Sequence, residues 1–255
     1  MLSSTERFSN RVENYVKYRP SYPRQIIETL EGECGLSPQS IVADVGSGTG
    51  ILTALLLKHG NTVYAVEPNA DMRAAAEIQL GDEAKFLSVN GTAEATTLED
   101  ESVDLVVAGQ AFHWFEPVAT RREFQRILRP GGWVALVWNK REIDSVSAPF
   151  PAAYDELLRR YAPEYAKVSH ERIDADALAQ FFAPNSYTSL HFPNHQSLNW
   201  ESVHGRLLSS SYTPLAGQPG HDELMAGMND IFKRYSENDL ISFEYNTEII
   251  FGQLD

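Results

Sequence analysis

"IVADVGSGTGILTALLLKHG", residues 41–60, runs from an apolar stretch through a turn with glycine at 46, 48 and 50 into a second apolar stretch. IVADV is short and rich in branched residues, as in a buried strand. ILTALLLKH fills helical spacing, and Gly60 follows as a C-cap. A strand, a glycine turn and a helix in that order open a βαβ unit.

The rhythm continues outward. TVYAVE (62–67), KFLSVN (85–90), VDLVVAG (103–109) and WVALVWN (133–139) read as further strands. Between them lie a helix in PNADMRAAAEIQL, a loop in GTAEATTLEDES, and an amphipathic helix in EPVATRREFQRILRPGG closed by a Pro-Gly-Gly turn. Alternating strands and helices predict a doubly wound α/β fold with a mostly parallel sheet, whose ligands sit beyond the strand carboxyl ends. After Asn139 the spacing predicts helices in FPAAYDELLRRYAPEY and DADALAQFF, a strand at 187–192, helices in ESVHGRLLSSS and HDELMAGMNDIFKRYS, and an alternating strand at 241–252. The last two strands extend the sheet to seven. Residues 145–183 form a helical insertion after strand five that covers one edge of the sheet and part of the substrate site.

Composition limits the function classes. A chain of 255 residues is one large domain with ample core. Its 35 acidic against 21 Lys and Arg residues give −14, which opposes nucleic-acid and polybasic membrane contacts. The lone Cys34 can build neither an intramolecular disulfide nor a thiolate metal cluster. No apolar run reaches membrane-spanning length, and the start has no apolar signal core, so a soluble cytoplasmic protein is expected. His191 and His195 flank Pro193 without carboxylate spacing, so no metal is expected.

Two ligand classes use such a glycine turn. Dinucleotides want a small residue five positions after Gly46, and Ile51 stands there. Asp44, two residues before Gly46, would repel a pyrophosphate but suits an ammonium group. Glu67, at the end of the second strand, suits the two hydroxyls of a ribose. A ribose with a cationic amino-acid end and no pyrophosphate describes S-adenosylmethionine.

With these residues on the page, the chain resembles the class I S-adenosylmethionine-dependent methyltransferases, most of all their small-molecule branch of ubiquinone-type and trans-aconitate-type enzymes. The resemblance runs over about residues 7–140. It rests on DVGSGTG (44–50), VEPNADM (66–72), NGTAEATTL (90–98), AGQAFHWF (108–115), ILRPGGWVALVWN (127–139) and FSNRVENYVKYRPSYP (8–23). It implies a seven-stranded sheet with the last strand antiparallel. It also implies that Gly46, Ser47 and Gly48 face the methionine part, that Asp44 holds the ammonium, and that Glu67 binds the ribose. Pro68 would pack on adenine, and Thr92 and Ala93 would meet the adenine edge. The family often has Asp where Thr92 stands, so a backbone contact is expected there. Gln110 would reach the methionine region, and Tyr15 with Arg19 would close over the cofactor, Arg19 forking to its carboxylate. Residues 1–35 would then supply a lid and first helix. His113 would act as base for a hydroxyl acceptor or wall the pocket with Phe112 and Trp114.

The expected activity is in-line transfer of a methyl group to a small molecule. A protein that binds the cofactor without turnover, or a nicotinamide-dependent oxidoreductase, are the alternatives. The acceptor and the oligomeric state are not legible.

Overall fold

The computed structural model describes residues 12–141, 149–165, 175–210 and 212–254. Two helices, α1 (Val12–Tyr18) and α2 (Gln25–Cys34), precede the sheet. Then follow β1 (Ile41–Val45), α3 (Ile51–His59), β2 (Thr62–Val66), α4 (Ala70–Leu80), β3 (Phe86–Val89) and β4 (Val103–Gly109). A short 3-10 turn (Phe112–Trp114), α5 (Pro117–Ile127) and β5 (Leu128–Arg141) complete the alternating part. The remainder holds α6 (Pro149–Tyr161), α7 (Ala175–Phe182), β6 (Thr188–Leu198), α8 (Trp200–Leu208), α9 (His221–Tyr235) and β7 (Ile241–Gly252).

The strand order is β3-β2-β1-β4-β5-β7-β6. The first five strands are parallel, and β7 runs antiparallel between β5 and β6. The seven-stranded sheet and its antiparallel strand are as expected from the sequence. The order reverses between β1 and β4, which places a crevice at their carboxyl ends.

Period-two alternation assigns side chains to the two faces. Ala43, Val45, Leu136 and Trp138 point to one face, under Phe124 of α5 and Phe181 and Phe182 of α7. Val42, Val107, Ala135 and Val137 point to the other, under Ile26 and Leu30 of α2 and Leu56 of α3. A third core joins α6, α8 and α9 to the far end of β7 through Tyr154, Leu207, Leu224 and Phe243. The expected insertion therefore divides: α7 lies on a sheet face rather than along an edge, and α6 belongs to the third core. The edge beyond β7 is β6 itself, solvated on both faces and carrying Pro193, which suits only an edge strand.

Three boundaries differ from the sequence reading. β5 begins at Leu128, because Leu128 pairs with Val103 and Trp133 with Leu105, so the Pro-Gly-Gly segment bulges out within the strand. β6 extends to Leu198 because it follows β7 to Ile241. α4 starts after Pro68, since the Asn69 side chain accepts from the amides of Asp71 and Met72 and so caps the helix.

Candidate active site

The glycine turn between β1 and α3 forms the floor of the crevice. Gly46, Gly48 and Gly50 have φ of +69°, +58° and +85°, where a side chain is strained. Their surroundings differ. A Cβ on Gly46 would lie 2.6 Å from the Ala111 Cβ, and one on Gly50 would lie 2.6 Å from Leu80 Cδ1. These two glycines admit the protein's own side chains. A Cβ on Gly48 would meet only Met72 Sδ, at 3.5 Å, so this glycine borders open space.

The turn's amides are already engaged. Gly46 and Ser47 donate to Val66 O at 2.8 and 3.2 Å, and Gly48 donates to Glu67 Oε2 at 2.9 Å. Three amides of the turn are thus spent, one of them on a carboxylate.

Asp44, at the end of β1, is fully buried. Its Oδ2 accepts from Thr53 Oγ1 at 2.6 Å, while Oδ1 is buried with no partner. Burial raises its pKa to about 7 against the Thr53 hydrogen bond, and the nearby Glu67 adds to the rise. Glu67 closes β2. Its two oxygens accept from the amides of Gly48 (2.9 Å) and Asn69 (2.8 Å), so it ties the glycine turn to the start of α4. Burial raises its pKa too, partly offset by the Asn69 and Gly48 bonds. Each oxygen keeps a further lone pair. Among the described residues, no cation hydrogen-bonds either side chain.

These groups border a cavity of about 190 Å³, room for a ligand rather than one water. Asp44, Gly46, Ser47 and Gly48 line its floor, and Glu67 with Pro68 one wall. Thr92 and Ala93 line another side, on a tight turn in which Thr92 N donates to Ala95 O at 3.1 Å. Tyr15 and Gln110 border it as well. Gln110, with φ of +56°, anchors its amide nitrogen to Asn139 O at 3.2 Å.

Two expected residues stand apart from that lining. Arg19 lies with its guanidinium carbon 4.6 Å from the Tyr15 ring centroid and donates to Ser209 O at 3.0 Å. Arg19 follows the end of α1 and precedes Pro20, and it does not line the cavity. The His113 ring lies 4.8 Å from that of Trp114, and Trp114 and Phe115 border the cavity in its place. Residues 1–11 of the expected lid lie outside the described residues.

Sequence reasoning missed Tyr22, Asn69 and Met72, which also line the cavity. Gly109 was the available signal for Tyr22, since a Cβ there would lie 2.6 Å from its hydroxyl. The Asn-x-x-Met spacing was the signal for the other two, because a capping Asn accepts from the amide of the third residue and so holds both in the first turn of α4, at the end of β2.

Comparison with known proteins places this geometry. A family described as "Methyltransferase domain" matches residues 43–136. An uncharacterized methyltransferase-like protein of Schizosaccharomyces pombe is 30% identical, covering 94% of this chain and 92% of its own. An uncharacterized methyltransferase of Mycobacterium tuberculosis is 40% identical over 53% of each chain. Among solved structures, a candidate type II methyltransferase from Anaeromyxobacter dehalogenans superposes with a TM-score of 0.66 at 22% identity, covering 92% of this chain and 98% of that one.

Proposed function

The chain belongs to the class I S-adenosylmethionine-dependent methyltransferases, and from that premise we propose that the crevice at the β1 and β4 carboxyl ends binds S-adenosylmethionine and serves methyl transfer to a small molecule. The observation that carries this reading is the pair of buried carboxylates, Asp44 and Glu67, that border one cavity, neither side chain hydrogen-bonded by a cation among the described residues. Two carboxylates with raised pKa values call for a ligand with positive charge and hydroxyl donors. Pyrophosphate offers neither.

When bound, S-adenosylmethionine supplies an electrophilic methyl group on a sulfonium with a thioether leaving group. The residues present suit it. Asp44 Oδ1 accepts from the ammonium, and the remaining lone pairs of Glu67 accept from the ribose hydroxyls. Gly48 leaves room for the methionine chain, and Pro68, Thr92 and Ala93 border the base. Tyr15, Tyr22 and Trp114 exclude water from the methyl group, so that positioning in a dry site supplies most of the acceleration. His113 acts on the acceptor only through a rearrangement of the Phe112–Trp114 turn. Residues 1–35 serve as the lid, α1 being its described part, and the 145–183 helices help to cover the acceptor. The charge of −14 supports a small acceptor over a nucleic acid.

Calorimetry with S-adenosylmethionine and, separately, NAD tests the cofactor. Binding of the first and not the second is expected, and the reverse overturns the reading. Incubation with size-fractionated cell extract tests the acceptor. Labelled methyl in the small-molecule fraction is expected, and label confined to protein or nucleic acid overturns it.

A further inference from the structure

We propose that Thr53 is a positioning residue for the cofactor: by holding one oxygen of Asp44 it presents the other to the ammonium group. This rests on reading the crevice as the cofactor site.

Asp44 lies in β1 opposite Ala65 of β2 and Val107 of β4. By period-two alternation its side chain shares the face of Val42, under α3. α3 reads ILTALLLKH, and Thr53 carries the one hydroxyl of that helix. A threonine inside a helix commonly returns its hydroxyl to a carbonyl one turn back. Here the Thr53 hydroxyl donates instead to Asp44 Oδ2 at 2.6 Å, and both residues are fully buried. Thr53 sits in the first turn of α3, which the Ala54 amide closes onto Gly50 O at 2.8 Å. A β-branched residue there has few rotamers, so the hydroxyl that reaches Asp44 is itself held in place.

An aspartate side chain turns about two bonds, and an untied one samples several orientations. With Oδ2 fixed on α3, Oδ1 is left buried without a partner. Asp44 borders the crevice and Thr53 does not, so an effect of Thr53 on a ligand passes through Asp44. The bond also acts on charge. Burial raises the Asp44 pKa to about 7, and the Thr53 hydroxyl and amide keep it from rising further, since a hydrogen bond to the ionised form favours that form. Two other ionisable groups face Asp44 among the described residues. Glu67, at the end of β2, adds to the rise, and Tyr22 has a phenol that burial holds well above the ordinary tyrosine value. Tyr22 therefore stays neutral where Asp44 titrates. Glu67 serves the ribose, so its titration acts alike on every ligand that carries one.

The test is calorimetry on the full chain with S-adenosylhomocysteine and with 5′-methylthioadenosine, which keeps the base, ribose and thioether but has no ammonium group. Thr53→Val removes the hydroxyl at nearly constant volume. It should weaken S-adenosylhomocysteine at least about tenfold near neutral pH and leave 5′-methylthioadenosine within roughly threefold. The loss of S-adenosylhomocysteine affinity on acidification should set in at least about one pH unit higher than in the unmodified protein. Thr53→Ser restores the hydroxyl and should recover the unmodified affinity to within roughly threefold. Adding Thr53→Val to Asp44→Asn should cost no further affinity, as befits a residue that acts through Asp44. Should Thr53→Val fail to fold, Thr53→Cys, a weak donor, is read in its place. Where 5′-methylthioadenosine binds too weakly to measure, the Asp44→Asn background decides. The proposal is overturned if the valine variant keeps its S-adenosylhomocysteine affinity, if it loses both compounds alike, if serine does not restore binding, or if the loss persists beside Asp44→Asn. If the unmodified protein binds neither compound, the cofactor reading falls as well. If it binds S-adenosylhomocysteine and the variants depart from these results, only the role of Thr53 falls.

Discussion

Among the described residues Asp44 is hydrogen-bonded by Thr53 alone, and burial holds its pKa near 7. A group whose pKa rises on folding contributes stability below its unfolded value and loses it as pH climbs through the folded value. The relevant window here is about pH 4–7, so buried Asp44 destabilises the unliganded protein at pH 8. Asp44→Asn is therefore expected to raise the unliganded melting temperature at pH 8, with a free-energy gain on the order of 2–4 kcal/mol. The gain should vanish near pH 4. The same variant should lose S-adenosylmethionine affinity, and in the unmodified protein that affinity should fall as pH drops from 7 to 5. A flat affinity profile in calorimetry would separate Asp44 from the ammonium. Glu67 is a second case. At the end of a strand it reads as a ligand residue alone, but in the fold it also receives Gly48 and Asn69 amides. Glu67→Ala should weaken cofactor binding roughly ten- to a hundred-fold, a charge-assisted bond being worth about 1.5–3 kcal/mol. It should also lower the melting temperature, because two amides lose their acceptor.

At the scale of elements, the contact between α1 and α8 is the least expected. Gly205 faces the Tyr18 ring so closely that an added Cβ would lie 2.0 Å from Tyr18 Cε2. The Tyr18 hydroxyl then donates to Glu201 at 2.8 Å, and Arg19 reaches Ser209 O one turn beyond. A single methyl group at Gly205 must displace α1, and with it Tyr15 from the crevice wall. Gly205→Ala is expected to cost about 1–3 kcal/mol of stability, as overpacking does, and to speed amide exchange across α1 with cofactor bound. Unchanged exchange in 12–18 would show that α1 sits independently of α8. The helix at 12–18 and the one at 200–208 are each visible from apolar spacing. Their pairing is not, because nothing in either segment names its partner.

Across the whole molecule, β7 ties everything together. It lies between β5 and β6, places Ile249 and Phe251 in one core and Phe243 and Tyr245 in another, and faces Arg141 with Tyr245. A chain ending at residue 240 should therefore fail to fold, rather than yield a stable five-stranded enzyme. Circular dichroism showing a cooperative melt in that truncated chain would refute this.

The βαβ order, the seven strands, the glycine turn and most of the crevice lining were legible along the chain. They rest on local periodicity and on residues within a few positions of a strand end, where backbone geometry alone aims the side chain. Asp44, Glu67 and Gln110 are of that kind. The placement of Arg19 and His113 was not legible, because a proline-terminated helix and a 3-10 turn set their directions by packing. The grouping of Arg19, Arg141 and Arg206 was hidden. Arg19 and Ser209 are 190 residues apart, and Arg141, Arg206 and Tyr245 sit on three elements whose meeting depends on β7 inserting beside β5. Arg141 and Arg206 each read alone as a solvated surface charge, and Arg19 as a cofactor contact. Only the tertiary fold removes the water from Arg141 and Arg206, because the groups that bury them come from elements far apart in the chain.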